Sequence, residues 1–379
     1  MSDPRGFDSS LVDFELHGRV GIRLVNARSS DVAAVTRQVG CIYASLSREP
    51  DIVIEFVEKI PVSSPLHYVG IDDTAFTDEA FFIQRGKHKT RTMVQIPFAQ
   101  VGQQCHILCE TGLIAVPLLI PIVNLTALRL ELLPLHASAF EYQGKGVLTT
   151  GWTKGGKTEM LLAFMAQGAQ YIGDEWIYIT QDSPQMCGIQ EPIRVWDWHL
   201  QSLPHYWSVV GQNDKIRLRI LKTIVQMCER TASSGIAQKS TFGKHMKRIT
   251  PFLNQQLYVD LPPRQLFGPA VDSRVTNVDR LIFVAIHASP DIIVRPIDPG
   301  DIARRMIFSL QEERRNFISY YHKFRFAFPE VENPFIEEVE QVERKLLTRL
   351  LAQKESYAVY HPYPVELPAL FTAIEPLLH

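Results

Sequence analysis

The chain has 379 residues, 46% of them apolar, and its 39 basic and 41 acidic side chains leave a formal net charge of −2. This describes an ordinary soluble protein, long enough for two domains, and excludes one dominated by a charged tail. The first residues, Met1-Ser2-Asp3-Pro4-Arg5-Gly6, lack an apolar stretch after the positive charge, so no secretion or import signal is expected and the cytoplasm is the default.

Residues 1 to 125 read as a small mixed α+β domain. Short β-rich runs such as Val20-Gly21-Ile22-Arg23-Leu24-Val25 and Asp51-Ile52-Val53-Ile54-Glu55-Phe56 alternate with turns. Nothing here carries chemistry of its own, and the domain could dock a substrate or a sister subunit. The five cysteines Cys41, Cys105, Cys109, Cys187 and Cys228 form no disulfide framework. Cys105 and Cys109 have a spacing that would put two thiols on one helix face, but no second pair completes a zinc site, and buried free thiols are the simpler account. Thr111 to Leu128 carries no charge and is just long enough to cross a bilayer. Pro117 and Pro121 break the run, so a buried linker and helix are expected instead.

From residue 126 to 379 a nucleotide-binding domain is expected. Its signal is the run Gly151-Trp152-Thr153-Lys154-Gly155-Gly156-Lys157-Thr158, which meets the phosphate-loop pattern of two glycines, a lysine and a hydroxyl. Such a loop turns successive backbone N–H groups around phosphates and hands them to the positive end of the following helix. Gly156 lets the backbone approach phosphate without a Cβ, Lys157 offers a point charge to the β- and γ-phosphates, and the Thr158 hydroxyl suits Mg2+. The setting agrees. Residues 146–150 read as a buried strand, and Glu159 to Ala166 as a helix closed by Gly168. Without a ligand, the same residues would make a glycine-rich turn joining strand to helix.

Next comes Tyr171-Ile172-Gly173-Asp174-Glu175-Trp176-Ile177-Tyr178-Ile179, read as one β-rich run with two acids at its centre. Buried strands rarely carry paired carboxylates. Beside the loop, one acid can hold Mg2+ or its water while the other accepts a proton from an attacking hydroxyl. The alternative is an exposed edge strand whose acids face water. Glu191-Pro192-Ile193-Arg194 offers either a further acid and base within reach of the site or a Pro-led strand start with exposed charges.

The segment 214–248 is the most basic part of the chain, with Lys215, Arg217, Arg219, Lys222, Arg230, Lys239, Lys244, Lys247 and Arg248 against Asp214 and Glu229. Ser233-Ser234-Gly235 divides it into a helix, a joint and a second basic piece. It could clamp an acidic peptide or the nucleotide's phosphates, or be a solvated face. It lacks the aromatic interleaving of a nucleic-acid platform. Strands such as Asp279 to Ile286 close the core. Helices follow over 300–355, through Asp301 to Ile307 and from Pro334 to Leu351, and Tyr357 to His361 reads as a last strand.

Over about 45 residues, Leu135 to Ile179, the chain resembles the catalytic domain of the HPr kinase/phosphorylase family. That family places a histidine ahead of the loop strand, a loop ending Gly-Lys-Ser/Thr-Glu, and paired acids shortly after the helix. Here His136, Gly156-Lys157-Thr158-Glu159 and Asp174-Glu175 stand in that order. The resemblance implies an α/β P-loop nucleotide-binding domain of HPr-kinase/PEP-carboxykinase-like type, preceded by the small mixed domain and followed by C-terminal helices. It implies a phosphotransferase using ATP and Mg2+. Asp174 would be the base, Glu175 and Thr158 would hold the metal, Lys157 the transferred phosphate, and His136 would sit near the phosphates or the base. The acceptor would be a serine of a protein or peptide, with no nucleic acid or membrane as partner, and a homo-oligomer suits the likeness. Taken alone, a histidine ahead of a strand is more often a core or capping residue.

The chain also departs from the family. Thr153-Lys154 replaces a usual Ser-Gly, and an ordinary side chain at Lys154 needs backbone angles that Gly155 must help absorb. Lys154 then adds a phosphate contact or points to solvent. The Gly-rich stretch with an Arg that follows the acids in the bifunctional enzymes has no counterpart after Ile179, so neither HPr as substrate nor the reverse phosphorylase reaction is implied. Two other readings stand beside a protein-serine kinase: a small-molecule hydroxyl kinase, and an ATP-binding regulatory protein that has lost phosphotransfer. A motor or transport ATPase fits poorly, because its acids normally lie far downstream of the loop, whereas Asp174 follows Lys157 by 17 residues.

Overall fold

The computed structural model describes residues 11–40, 45–70, 73–85, 92–233, 250–271 and 274–379. It is a mixed α/β protein with several sheets and long C-terminal helices. Met1 to Gly6, Cys41, the joint at Ser234-Gly235 and the basic residues Lys239, Lys244, Lys247 and Arg248 lie outside the described residues.

The N-terminal part forms an eight-stranded sheet from β1 (Leu11–Leu16), β2 (Val20–Val25), β3 (Ile52–Val57), β4 (His67–Tyr68), β5 (Thr74–Phe76), β6 (Phe81–Arg85), β7 (Thr92–Gln95) and β8 (Cys105–Glu110), in the order 1-2-3-8-7-6-5-4. Both β-rich runs of this part are strands. The expectation of a helix at Cys105 to Cys109 is corrected, since these residues lie on β8. Cys105, Ile107 and Cys109 are buried in alternation with the more exposed His106 and Leu108, the period of two that puts both thiols on the inner face. Burial pushes each thiol up to about 12, and Cys105, Cys109, Cys187 and Cys228 are buried and form no disulfide.

The uncharged run resolves into a turn and the buried helix Leu119–Arg129, with Pro121 in the first turn, where no intrahelical donor is lost. The boundary expected between residues 125 and 126 falls inside that helix. Among the described residues no helix is long and apolar enough to cross a membrane.

Beyond it run β9 (Leu132–His136), β10 (Ser138–Tyr142), β11 (Lys145–Gly151), β12 (Gln170–Gly173), β13 (Trp176–Thr180), β14 (Gln185–Gly188), β15 (Ile193–Trp196), β16 (Tyr258–Leu261), β17 (Thr276–Asn277), β18 (Arg280–Ile286), β19 (Ile293–Pro296) and β20 (Glu355–His361). A six-stranded sheet has the order 12-10-11-18-20-19, with β11, β18 and β20 mutually parallel. Both of its faces are covered. Leu148, Leu281, Phe283 and Ala358 face one core, while Val147, Ile282, Val284 and Val359 face another built with the helices Lys157–Met165 and Leu367–Ile374. Strands buried on two faces read as the continuous apolar runs seen here. A four-stranded sheet, 17-14-13-9, and the pair β15 and β16 complete the arrangement.

The helices Pro299–Ala327 and Pro334–Leu351 pack on the N-terminal sheet as well as on β9 and β11. Phe98 meets Phe317 and Phe324 with ring centroids 5.4 and 5.5 Å apart. Asn333 caps the second helix through Phe335 N–H and donates from Nδ2 to the carbonyls of Phe98 and Val101 at 2.9 and 2.8 Å.

Candidate functional site

The glycine-rich loop leaves the C-terminal end of β11 and enters the helix Lys157–Met165. Gly156 takes φ 110°, and a Cβ there would stand 2.1 Å from His361 Nε2. His361, at the end of β20, is fully buried; its Nε2 lies 3.2 Å from the Gly155 carbonyl and its Nδ1 2.8 Å from that of Pro362. The loop therefore has a histidine packed behind it, and glycine is the residue that fits. Lys154 itself adopts φ 60°. This is the unusual angle expected at Lys154, and Gly155 has no positive φ with which to share it. At the far end of the helix Gly168 has φ 86°, with Gly168 N–H donating to Met165 O and Ala169 N–H to Phe164 O, the pattern of a left-handed glycine closure.

The two acids do not interrupt one strand. They form the junction where the chain leaves β12 in the six-stranded sheet and enters β13 in the four-stranded one, with Glu175 at φ 68°. β12 is also not the immediate neighbour of β11, because β10 lies between them. The helix Lys157–Met165 bridges that gap and carries its first turn to the junction. Thr158 Oγ1 donates to Asp174 Oδ2 at 3.0 Å. Asp174 is 3% exposed, against the alternative of acids that face water, whereas the Glu175 side chain is 46% exposed.

His136 ends β9 directly opposite Trp176 of β13. Its Nε2 lies 2.8 Å from Glu175 Oε2, and its Nδ1 lies 2.5 Å from Glu313 Oε1 of the helix Pro299–Ala327, an ion-pair contact off the hydrogen-bond axis. Ala137 N–H donates to the Glu175 carbonyl at 3.1 Å, so sheet pairing and side chains fix the same neighbours. Ser138 Oγ donates to the Lys157 carbonyl at 2.8 Å, tying β10 to the helix start.

Electrostatics separates these groups. Burial, reinforced by the Glu175 charge, pushes Asp174 up to about 7, against the pull of Thr158 and Lys157. Burial also acts to raise Glu175, but the His136 contact and charge outweigh it and hold it below its ordinary value. In His136, burial acts to lower the pKa, and the Glu175 and Glu313 contacts reverse the sign, so the net shift is upward. Lys157 is lowered, chiefly by burial, with Glu175, Asp174 and Glu313 opposing. Its Nζ donates to the Trp152 carbonyl at 3.1 Å.

Thr153 to Thr158, Asp174, Glu175 and His136 line one cleft of about 620 Å3, the size of a small-molecule site. Gly151 closes β11 behind it, and Trp152, half exposed, stands at the loop tip. Arg194 of β15 also lines the cleft while lying over the Tyr258 ring at 4.1 Å and pairing with Asp260. Burial, with the Glu175 and Asp174 charges, pushes Glu191 up to about 8. The Glu191 to Arg194 segment thus begins a strand and reaches the site. Of the basic segment, Lys222 on the helix Gln212–Ser233 pairs at 2.9 Å with Asp197, a cleft-lining residue.

No family model matches the chain, and no curated protein matches it. The residue assignments in this cleft therefore rest on geometry and chemistry.

Two residues beside the site carry no sequence signal. Glu313 and His361 lie 177 and 225 residues beyond His136, too far for any local spacing to link them.

Proposed function

We propose that the chain is an ATP-dependent kinase of HPr-kinase-like type that transfers the γ-phosphoryl group to a hydroxyl, in the simplest case a serine of a protein or peptide. The observation that carries this reading is the 3.0 Å contact of Thr158 with Asp174 in a cleft also lined by Lys157, His136 and Glu175. The donor set suits Mg2+, because the Thr158 hydroxyl and the Asp174 and Glu175 carboxylates are hard oxygens. Among the described residues no group of three or more His, Cys, Asp or Glu side chains could hold a metal ion. Mg2+ held by one or two carboxylates, waters and substrate phosphates does not need one. Thr158 and Glu175 would hold the ion.

The chemistry that MgATP supplies when bound is a charge-neutralised, transferable γ-phosphoryl group. The backbone N–H groups from Gly156 to Thr158 would bind and orient the phosphates at the helix start, and the Lys157 ammonium, which donates to the Trp152 carbonyl, would supply positive charge to the γ-phosphoryl. Asp174 accepts the proton of the attacking hydroxyl at a carboxylate oxygen while the new O–P bond forms and the bond to ADP breaks. Burial and the Glu175 charge raise the pKa of Asp174, the direction that strengthens a carboxylate as a proton acceptor. Glu175, held below its ordinary value, stays anionic beside it.

The test incubates purified protein with Mg2+ and γ-labelled ATP in extract from its own source, beside Asp174→Asn and Lys157→Ala. A labelled acceptor that disappears in both variants, with their melting temperatures retained, is the expected result. Full labelling in either variant would sink the assignment, and tight ATP binding without any labelled acceptor would favour a regulatory protein.

A further inference from the structure

Glu313 lies outside the segment that carries the site's other charged groups and does not line the cleft. It belongs to the helix Pro299–Ala327, where its carboxylate stands 2.5 Å from His136 Nδ1, on the side of the ring away from Glu175. The imidazole is 5% exposed, hydrogen-bonded at Nε2 and in ion-pair contact at Nδ1, and Trp176 lies against it with ring centroids 5.8 Å apart. The helix is itself held in rotation. Arg314, the next residue, forks onto Glu343 of the helix Pro334–Leu351, with Nη2 to Oε2 at 2.9 Å and both side chains buried. A bidentate pair of this kind fixes geometry as well as charge.

We propose that Glu313 is a positioning residue, which fixes the His136 imidazole from behind so that Nε2 faces Glu175 in the cleft. Its effect on turnover rests on the kinase reading above; the contact itself does not. A carboxylate behind a histidine fixes the ring's orientation, and behind a metal-bound histidine its removal typically costs about ten- to a hundredfold in activity, the scale taken here. The C-terminal helices thereby become part of the site without touching what binds in it.

The experiment compares the full chain with Glu313→Ala and Glu313→Gln, using MgATP as the probe and ADP release, with water as acceptor, as the activity. Glu313→Ala is expected to lower kcat about 10- to 100-fold with KM for MgATP within about twofold. Glu313→Gln keeps the shape and an acceptor oxygen but not the charge, and is expected to recover part of the loss. In parallel, side-chain 15N signals of labelled histidine, with His136 assigned by its disappearance in His136→Gln, should move at both ring nitrogens in Glu313→Ala and return towards the wild-type positions in Glu313→Gln. Unchanged imidazole signals in Glu313→Ala would overturn the proposal. So would an unchanged kcat, or a KM that rises in step with a falling kcat. A wild-type chain that turns over no MgATP with water would leave the kinase reading to the labelled-acceptor experiment, and the imidazole comparison would then decide the role of Glu313 alone.

Discussion

Lys154 and Glu175 sit at φ 60° and 68°, conformations that L side chains adopt at a cost and that concentrate at functional sites. Both border the cleft, while His17, Asn26, Leu118, Glu131, Gln143 and Gln353 take positive φ elsewhere. Gly156 differs in kind, since its φ of 110° and the 2.1 Å approach of a Cβ to His361 leave no room for a side chain. Gly156→Ala is expected to destabilise the protein by roughly 1–3 kcal/mol and to weaken ATP binding, because the loop must shift from His361. Thermal unfolding with and without MgATP checks both effects, and an unchanged melting temperature would contradict the packing described. The glycine was legible in the chain as part of a pattern, whereas the histidine behind it was not.

At the scale of elements, the turn between β1 and β2 places His17 against Tyr178 of β13, with ring centroids 5.6 Å apart. Its Nε2 is buried with no hydrogen-bond partner, and burial lowers the pKa from 6.5 to about 4. The unfolded chain therefore binds this proton more readily than the folded one. The neutral histidine's contribution is fully present above about pH 6.5 and is lost as pH falls towards 4. The loss should be on the order of 2 kcal/mol, discounted for partial exposure of the residue. His17→Asn, which tolerates the left-handed turn, should flatten that acid limb in denaturant titrations at pH 4 and pH 7; an equal slope in both proteins would remove His17 as the cause. The same scale explains a misread element. The run from Tyr171 to Ile179 looks continuous because both its halves are apolar, yet β12 and β13 belong to different sheets. Only strand partners supplied by distant residues reveal the break.

Across the whole molecule, one apolar core joins the N-terminal sheet, the helix Leu119–Arg129, β9 and the two long C-terminal helices. Asn333 links these parts through its cap and its two carbonyl contacts. Asn333→Ala should cost about 2–4 kcal/mol, the sum of a lost cap and two buried hydrogen bonds. Calorimetry should show the whole transition moving to lower temperature; a separate early transition would mean that the two parts unfold independently. By itself the sequence determined the glycine-rich loop, its strand and helix, the acid pair and the order of the C-terminal helices, because each is written in contiguous residues by period, turn chemistry or motif. Tertiary structure alone decided that Asp174 is buried against Thr158, that His136 stands between Glu175 and Glu313, and that His361 backs the loop. Those contacts join residues far apart in the chain, where burial and strand pairing, which no local pattern encodes, choose the neighbours.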